Sequence, residues 1–427
     1  MITSQKGTRD LLPPETRAWN GVERTARKVF SLYGFDEIRT PTFEATELFV
    51  RSVGEATDIV HKEMYTFTDR GGRSVTLRPE NTAGVARAFV EHRLAQAGGV
   101  HRLYYVGPQF RYERPQKGRF REFRQIGAEV LGPADPATDA EVLVMLFDLL
   151  GRLGFTGLSV ALNSVGTAEC RPAYVEALQS FFASKEGSLD EDDRRRLAEN
   201  PLRILDSKNP ALQLLLADPG LPSMLDFLDE DSRGHHEELL ALLTASRIPF
   251  RIEPRLVRGL DYYTRTVFEV TARGLGAQDA LLGGGRYDRL VSDLGGPKTP
   301  GIGFAIGEDR LLDVLPAATR AAFLAEGAPQ VAVVPLGAED VAEGLAVAGE
   351  LRRGGIRAEL DTSAKGPGRG IKNALKKEIP LVVLLGEEER RKGTFVVKDL
   401  AASKQGEHLR ARLLEVVGAL VKPAPAT

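Results

Sequence analysis

Apolar positions recur at helical spacing from Glu15 to Leu32 and predict a helix ending near Gly34. Gly34 to Phe43, with Ile38 and Pro41, reads as extended. Asp69 to Leu77 reads as a hairpin turning at Gly71 and Gly72. Thr82 to Leu94 returns to helical spacing. Leu103 to Glu113 and Arg121 to Leu131 read as strands joined by a polar loop, Arg114 to Gly118. An amphipathic helix over Thr138 to Leu153 leads into a strand over Leu158 to Leu162.

Between Cys170 and Ser232 the pattern turns helix-rich and locally acidic, as at Asp190 to Asp193, which predicts an inserted helical module. Strand and glycine signals return from Ile248 to Gly307, and Glu326 to Pro329 reads as a linker. Strand and helix then alternate. Val331 to Pro335, Ile356 to Leu360, Leu381 to Leu385 and Thr394 to Lys398 read as strands. Glu339 to Leu351, Gly370 to Lys377 and Leu409 to Leu420 read as helices. That alternation predicts a small independent α/β domain. The tail, Pro423 to Thr427, is expected to fray.

Composition adds limits. The 427 residues are 42% hydrophobic and 27% charged, an ordinary globular balance with room for two or three domains. The formal net charge of -2 supplies no global basic field, so nucleic acid must be held by local patches. The one cysteine, Cys170, cannot form an internal disulfide or a zinc cluster, and the six histidines lack HxxxH or HExxH spacing. No metal site built from His and Cys is expected. Met1 to Leu12 has no apolar signal-peptide core, and Val142 to Leu150 is short and carries Asp148, so a soluble, cytoplasmic protein is expected, with no membrane partner.

Three segments carry candidate chemistry. In Phe110 to Glu129, Gln125, Gly127 and Glu129 share one strand face, a notch with hydrogen-bonding walls suited to an amine or an imidazole N–H. Arg111 on the partner strand suits a carboxylate or phosphate. The same residues also read as a solvated ion-pair ladder. In Gly301 to Gly307, one face is Gly301, Gly303, Ala305 and Gly307, and the other Ile302, Phe304 and Ile306. The bulky face must be core. The bare face admits either a flat ligand such as adenine, with Arg310 over it, or a closely packed helix. Arg258 to Glu269 sets an arginine and the pair Tyr262 and Tyr263 just before a strand, and Gly283 to Gly285 precedes Tyr287. Tyrosines give rigid walls with polar tips, although a triple glycine also suits an ordinary loop. GxSxG, GxGxxG before a helix and GxxxxGK[ST] are all missing, which disfavours serine-hydrolase, Rossmann and P-loop readings.

These residues carry a resemblance. Arg111 to Glu129, with FRYERPQKGRFREFRQ, resembles the second motif of class II aminoacyl-tRNA synthetases in its histidyl form. Gly301 to Arg310 resembles the third motif and Gly34 to Pro41 the first, with Pro41 at a dimer interface. RGLDYYTRTVFE (Arg258 to Glu269) and LLGGGRYDRL (Leu281 to Leu290) look like signatures of the histidyl family, and Leu77 to Ala83 like its amino-acid-binding turn. The resemblance runs from Lys6 to the final domain.

The family resemblance implies an α+β catalytic domain on a mostly antiparallel sheet (1–169 and 233–325), a helical insertion (170–232) and a C-terminal α/β anticodon-binding domain (329–422). It implies ATP-dependent activation of L-histidine, with Mg²⁺ carried by ATP, then transfer to tRNA(His) by a homodimer. Glu80, Asn81 and Thr82 would belong to the histidine site, Glu80 and Thr82 holding the α-amino group. Gln125 would contact the amino acid, Glu129 and Tyr263 would read the imidazole, and Tyr262 and Tyr287 would line or close the pocket. Arg111 and Arg258 would be catalytic, the first bridging α-phosphate and carboxylate, the second stabilising charge at that phosphate. Glu113, Arg119, Phe123 and Arg310 would bind ATP, and Gln116 would approach the tRNA. Asn81 stands where the family has glycine; its side chain is expected to crowd the turn, although Asn tolerates unusual backbone angles. Glu308 and Asp309 replace an apolar residue and Glu.

The basic run Lys365, Arg369, Lys372, Lys376 and Lys377 in the last domain reads as an RNA platform or as a solvated helix face. Competing functions are a catalytically silent paralogue, the regulatory subunit of ATP phosphoribosyltransferase, another class II synthetase, and a pure RNA-binding protein. The intact motifs and C-terminal domain weigh against the first. Arg258 to Tyr263 with Gln125 and Glu129 weigh against the second, and the arginine-lined pocket against the third.

Overall fold

A computed structural model describes residues 1–55, 57–114, 119–185, 187, 189–207, 209–272, 280–363 and 365–421. The chain divides into two compact units, Met1–Thr319 and Arg320–Thr427.

The first unit is built on an eight-stranded sheet. Its order is Asp36–Glu37, His101–Phe110, Glu122–Leu131, Gly301–Gly307, Ala280–Arg286, Thr264–Ala272, Leu158–Ser164 and Phe250–Ile252. Only the two edge pairs are parallel; the five inner pairs are antiparallel. The alternation read in Gly301–Gly307 decides which face is core. Ile302, Phe304 and Ile306 are buried, and Phe30 of the helix Glu15–Leu32 lies over Phe304 with ring centroids 6.3 Å apart. The glycine face is left for the site.

Local chemistry sets the helices around it. Pro136–Arg152 begins two residues earlier than its apolar spacing predicts, because Asp135 caps it by accepting from Thr138 N–H and Pro136 fits the first turn. Thr82–Glu91 is capped by Glu80, whose carboxylate accepts the N–H groups of Thr82 (2.7 Å) and Ala83 (2.8 Å). Gly34 to Phe43 is strand only at Asp36–Glu37. Phe43–Ala45 instead joins the expected hairpin, Tyr65–Thr68 and Ser74–Leu77, in a separate three-stranded sheet. The helix-rich stretch contains Arg171–Ala183, Glu191–Glu199 and Pro210–Leu216 around its own core of Tyr174, Leu178, Phe182, Ile204 and Leu212.

The second unit has a five-stranded mixed sheet ordered Ala358–Leu360, Val331–Pro335, Leu381–Leu385, Thr394–Asp399 and Lys404–Leu409. The last strand was not expected, and the final helix starts at Leu413 rather than Leu409. Lys404, Gln405 and Glu407 give it a polar edge without apolar alternation, which suits a sheet margin. The tail residues 423–427 lie outside the described residues.

A buried ion network ties the first unit together. Asp139 accepts from Arg286, from His235 (2.9 Å) and from Thr266 (2.7 Å). Burial alone would raise the Asp139 carboxyl, but the His235 hydrogen bond and the Arg286 charge hold it below its ordinary value. Asp139→Ala strips the fully buried Arg286 guanidinium of its one fully buried carboxylate and leaves it only the partly exposed Asp288 at 3.1 Å. It is expected to destabilise this unit by about 3 to 5 kcal/mol, read as a lower thermal midpoint by calorimetry.

Candidate active site

Cross-strand register builds the site on the glycine face. Glu129 lies opposite Gly303 and Leu103, Gly127 opposite Ala305 and Tyr105, and Gln125 opposite Gly307 and Gly107. Glu129 is 1% exposed and accepts hydrogen bonds from Tyr287 (2.6 Å), Thr82 (2.7 Å) and Tyr105 (3.3 Å). Burial, reinforced by the nearby Glu80 charge, outweighs those hydroxyls and pushes the Glu129 carboxyl up to about 8. Burial also raises Glu80.

Tyrosines wall this carboxylate. The Tyr262 ring lies 4.7 Å from that of Tyr263 and 5.7 Å, edge-on, from that of Tyr287. Burial pushes the Tyr263 hydroxyl up to about 12 and those of Tyr105, Tyr262 and Tyr287 well above the ordinary tyrosine value. All four therefore stay neutral donors at physiological pH.

The glycines prove to be sockets for side chains. A Cβ at Gly303 would run into the Glu129 carboxylate, one at Gly301 into Tyr287, and one at Gly127 into Tyr105. In the strand Ala280–Arg286, a Cβ at Gly283 would lie 2.6 Å from the Arg258 guanidinium and one at Gly285 2.7 Å from Tyr263. The notch expected at Gly127 is thus filled by Tyr105. The bare face is occupied at Gly301 and Gly303, and at Gly307 a Cβ would meet nothing within 4 Å. The triple glycine belongs to a strand rather than a loop.

A cationic group adjoins the tyrosine pocket. Arg111 donates to the Pro79 carbonyl at 2.9 Å, lies 3.9 Å from Glu113 and sits 5.4 Å from the Phe123 ring centroid. Arg119 pairs with Glu113 at 3.2 Å. Arg258 pairs with Glu269. Two buried atoms here lack a hydrogen-bond partner, the acceptor Gln125 Oε1 and the donor Arg258 Nε. Buried polar groups are normally satisfied, so an orphan acceptor and an orphan donor in one site leave hydrogen-bonding capacity that a ligand or water can take up.

Other expected residues are placed differently. Asn81 has φ of -114°, an ordinary angle, and its buried side chain accepts from Thr40 at 2.7 Å, so the turn takes the side chain in. Arg310 is half-buried on the helix Glu308–Asp313. Ahead of it, Asp309 accepts the backbone N–H of Arg124 at 3.1 Å and pairs with Arg9 at 3.0 Å, so this departure stitches the helix to the strand Glu122–Leu131. Gln116 lies outside the described residues. Sequence reasoning missed Tyr105 and Glu269 as site residues. Tyr105 was detectable by its alternation with Leu103, and Glu269 stands at the end of the quoted tyrosine segment. Among the described residues no group of three or more His, Cys, Asp or Glu is placed to hold a metal ion, and no helix is long and apolar enough to cross a membrane.

A mostly antiparallel sheet flanked by helices, with an arginine-lined pocket on its glycine face, is the catalytic fold of a class II aminoacyl-tRNA synthetase. The family model described as histidyl-tRNA synthetase matches residues 7–311, and the anticodon binding domain model matches residues 330–422. A histidine–tRNA ligase from Koribacter versatilis is 51% identical over 424 residues, covering 97% of this chain and 95% of the relative. One from Desulfitobacterium hafniense is 48% identical, covering 95% of each. The crystal structure of apo S. aureus histidyl-tRNA synthetase superposes with a TM-score of 0.80 at 33% identity, covering 98% of this chain and 100% of that one. The chain belongs to the histidyl-tRNA synthetase family. Full-length matches to ligases disfavour the silent regulatory paralogue.

Proposed function

We propose that this chain is a histidine–tRNA ligase that reads its amino acid through Glu129 and drives activation with Arg111 and Arg258. The observation that carries the reading is the pairing of a buried, tyrosine-walled carboxylate with two orphan polar atoms, Gln125 Oε1 and Arg258 Nε. Histidine sits with its imidazole on Glu129 and Tyr263, between Tyr262 and Tyr287, and its α-amino group toward Glu80, Thr82 and Gln125. Asn81 supports the turn from behind. ATP lies on Phe123, toward the open strand at Gly307, its phosphates on Arg111, Arg119 and Arg310.

The histidine carboxylate attacks the α-phosphorus and pyrophosphate leaves, giving histidyl-adenylate. Both reactants are anions, so Arg111 offsets their repulsion and Arg258 stabilises the charge that grows at the α-phosphate. A ribose hydroxyl of the terminal adenosine of tRNA(His) then attacks the mixed anhydride and releases AMP. Mg²⁺ enters with ATP, held mainly by phosphate oxygens. Of the residues assigned to ATP, Glu113 alone offers a carboxylate. Gln116 is assigned to tRNA contact on the family resemblance alone. The exposed Lys365, Arg369, Lys372 and Lys376 offer phosphate contacts, whereas Lys377 is paired with Glu359. Phe43 and Phe67, 57% and 49% exposed on the three-stranded sheet beside Pro41, support a homodimer through that face. The enzyme works in the cytoplasm. Residues 170–232 form the insertion between 1–169 and 233–325, ahead of the anticodon domain at 329–422. The test is exchange of labelled pyrophosphate into ATP with each amino acid in turn; exchange with histidine alone is expected.

The raised Glu129 carboxyl gives a pH signature. In the free enzyme the group is largely protonated below about 8, and its neutral form accepts the imidazole N–H more weakly than the carboxylate does. Its ionised form, which binds histidine, gains population as pH rises. So kcat/KM for histidine in pyrophosphate exchange should rise with pH through an apparent pKa near 8. The same limb should be missing from kcat/KM for ATP at saturating histidine, because bound amino acid keeps the carboxylate ionised. The opposed folding consequence follows from the sign of the shift. A carboxyl raised from its unfolded value of about 4.3 loses stability as pH rises toward 8.

A further inference from the structure

Arg258, Tyr262 and Tyr263 ride on a segment, residues 253–263, that is neither helix nor strand. Ladder hydrogen bonds therefore cannot fix it, yet its side chains must be held to within a fraction of an ångström to act on a transition state. The helical insertion supplies the missing restraint. Arg171, the first residue of the helix Arg171–Ala183, donates to the carbonyl of Tyr263 at 2.9 Å. Asn200 Nδ2 and Arg203 both donate to the same Asp261 carboxylate oxygen, at 3.0 and 3.1 Å.

The opposite side of Asp261 is closed as well. Its N–H donates to the Val53 carbonyl at 3.1 Å, and a Cβ at Gly54 would run into its carboxylate. Gly54 has φ of +104°, so glycine suits the position on both counts. The grip is anchored. Asn200 and Arg203 belong to the turn that carries Ile204 and Leu205, which are buried in the insertion's own apolar core with Tyr174, Leu178 and Leu212. Arg171, Asn200, Arg203, Arg258, Asp261 and Tyr263 line one cleft.

We propose that the insertion is a clamp on the activation segment, with Arg171, Asn200, Arg203 and Asp261 as positioning residues for Arg258 and Tyr263. This rests on the roles proposed above for those two residues. Through the clamp, the seating of the insertion and the rate of amino-acid activation are coupled. Asp261 and Arg203 are partly exposed and touch none of the atoms that react, so their loss should act through geometry alone.

The test compares Arg203→Ala, Arg203→Lys and Asp261→Asn with the wild-type full chain by amide hydrogen exchange and by pyrophosphate-exchange kinetics. Arg203→Ala should speed amide exchange across residues 256–264 roughly tenfold and leave the strand Glu122–Leu131 protected. It should lower kcat about 10- to 100-fold without changing KM for ATP. Arg203→Lys should recover part of the loss, and the Arg203→Ala, Asp261→Asn double variant should be no worse than the poorer single one. Unchanged amide protection in Arg203→Ala overturns the clamp, and so does faster amide exchange with kcat intact. A wild-type chain inert toward histidine and ATP defeats the roles given to Arg258 and Tyr263; the amide measurement still decides whether the insertion grips the segment.

Discussion

Arg258→Ala is expected to lower histidine-dependent pyrophosphate exchange by roughly 10²- to 10³-fold while the chain stays folded. The guanidinium lies over Gly283, where a Cβ would come within 2.6 Å, and pairs with Glu269 on the neighbouring strand. It is therefore stationed before any ligand arrives, with its Nε buried and unpartnered. A preset donor aimed at growing charge stabilises the transition state more than the ground state, so kcat should fall further than KM rises. Alanine also strips Glu269 of its partner and leaves an unbalanced carboxylate beside the reacting anions. Arg258→Lys should not restore the rate, since an ammonium lacks the planar fork that holds the Glu269 pairing while fixing a second donor at the Nε position. Exchange within tenfold of wild type in Arg258→Ala would assign the stabilising role elsewhere.

Gly303→Ala is the second large effect. The added methyl would occupy the space of the Glu129 carboxylate, which is fixed from the other side by Tyr287, Thr82 and Tyr105. The methyl is held by a strand inside the sheet, so the side chain must move. Losing a charged acceptor from the pocket should raise KM for histidine roughly 100-fold. KM for ATP should change little. Gly307→Ala, four residues along the same face, is the control, because a Cβ there meets nothing within 4 Å. Its KM for histidine should match wild type. Equal losses in both variants, measured by steady-state exchange kinetics, would mean that the strand and not the Glu129 socket is responsible.

Much of this was legible from alternation. The split of Gly301–Gly307 into a bare and a bulky face correctly places Ile302, Phe304 and Ile306 in the core. Gln125, Gly127 and Glu129 do share one strand face, as their alternation predicts, and Glu129 is buried on it. What the bare face holds was not legible, because that depends on register between strands far apart in the chain. Only the pairing of Gly303 with Glu129 shows that the glycine serves a carboxylate rather than an adenine ring. The Asp139–Arg286 pair spans 147 positions and has no local signal. The strand Lys404–Leu409 was invisible for another reason, since a polar edge strand need not alternate. The clamp escaped because Asn200 and Arg203 act from a helical module whose own sequence speaks only of its core.

The most direct test is transfer of labelled histidine to tRNA(His) by the full chain with ATP and Mg²⁺, with Glu129→Gln assayed beside it. Acid-stable attachment of histidine to the tRNA's 3' end by the wild type, lost or severely reduced in Glu129→Gln, is the predicted result. A folded wild-type chain that neither charges tRNA(His) nor exchanges pyrophosphate with histidine would contradict it, and would favour a binding role for the same pocket.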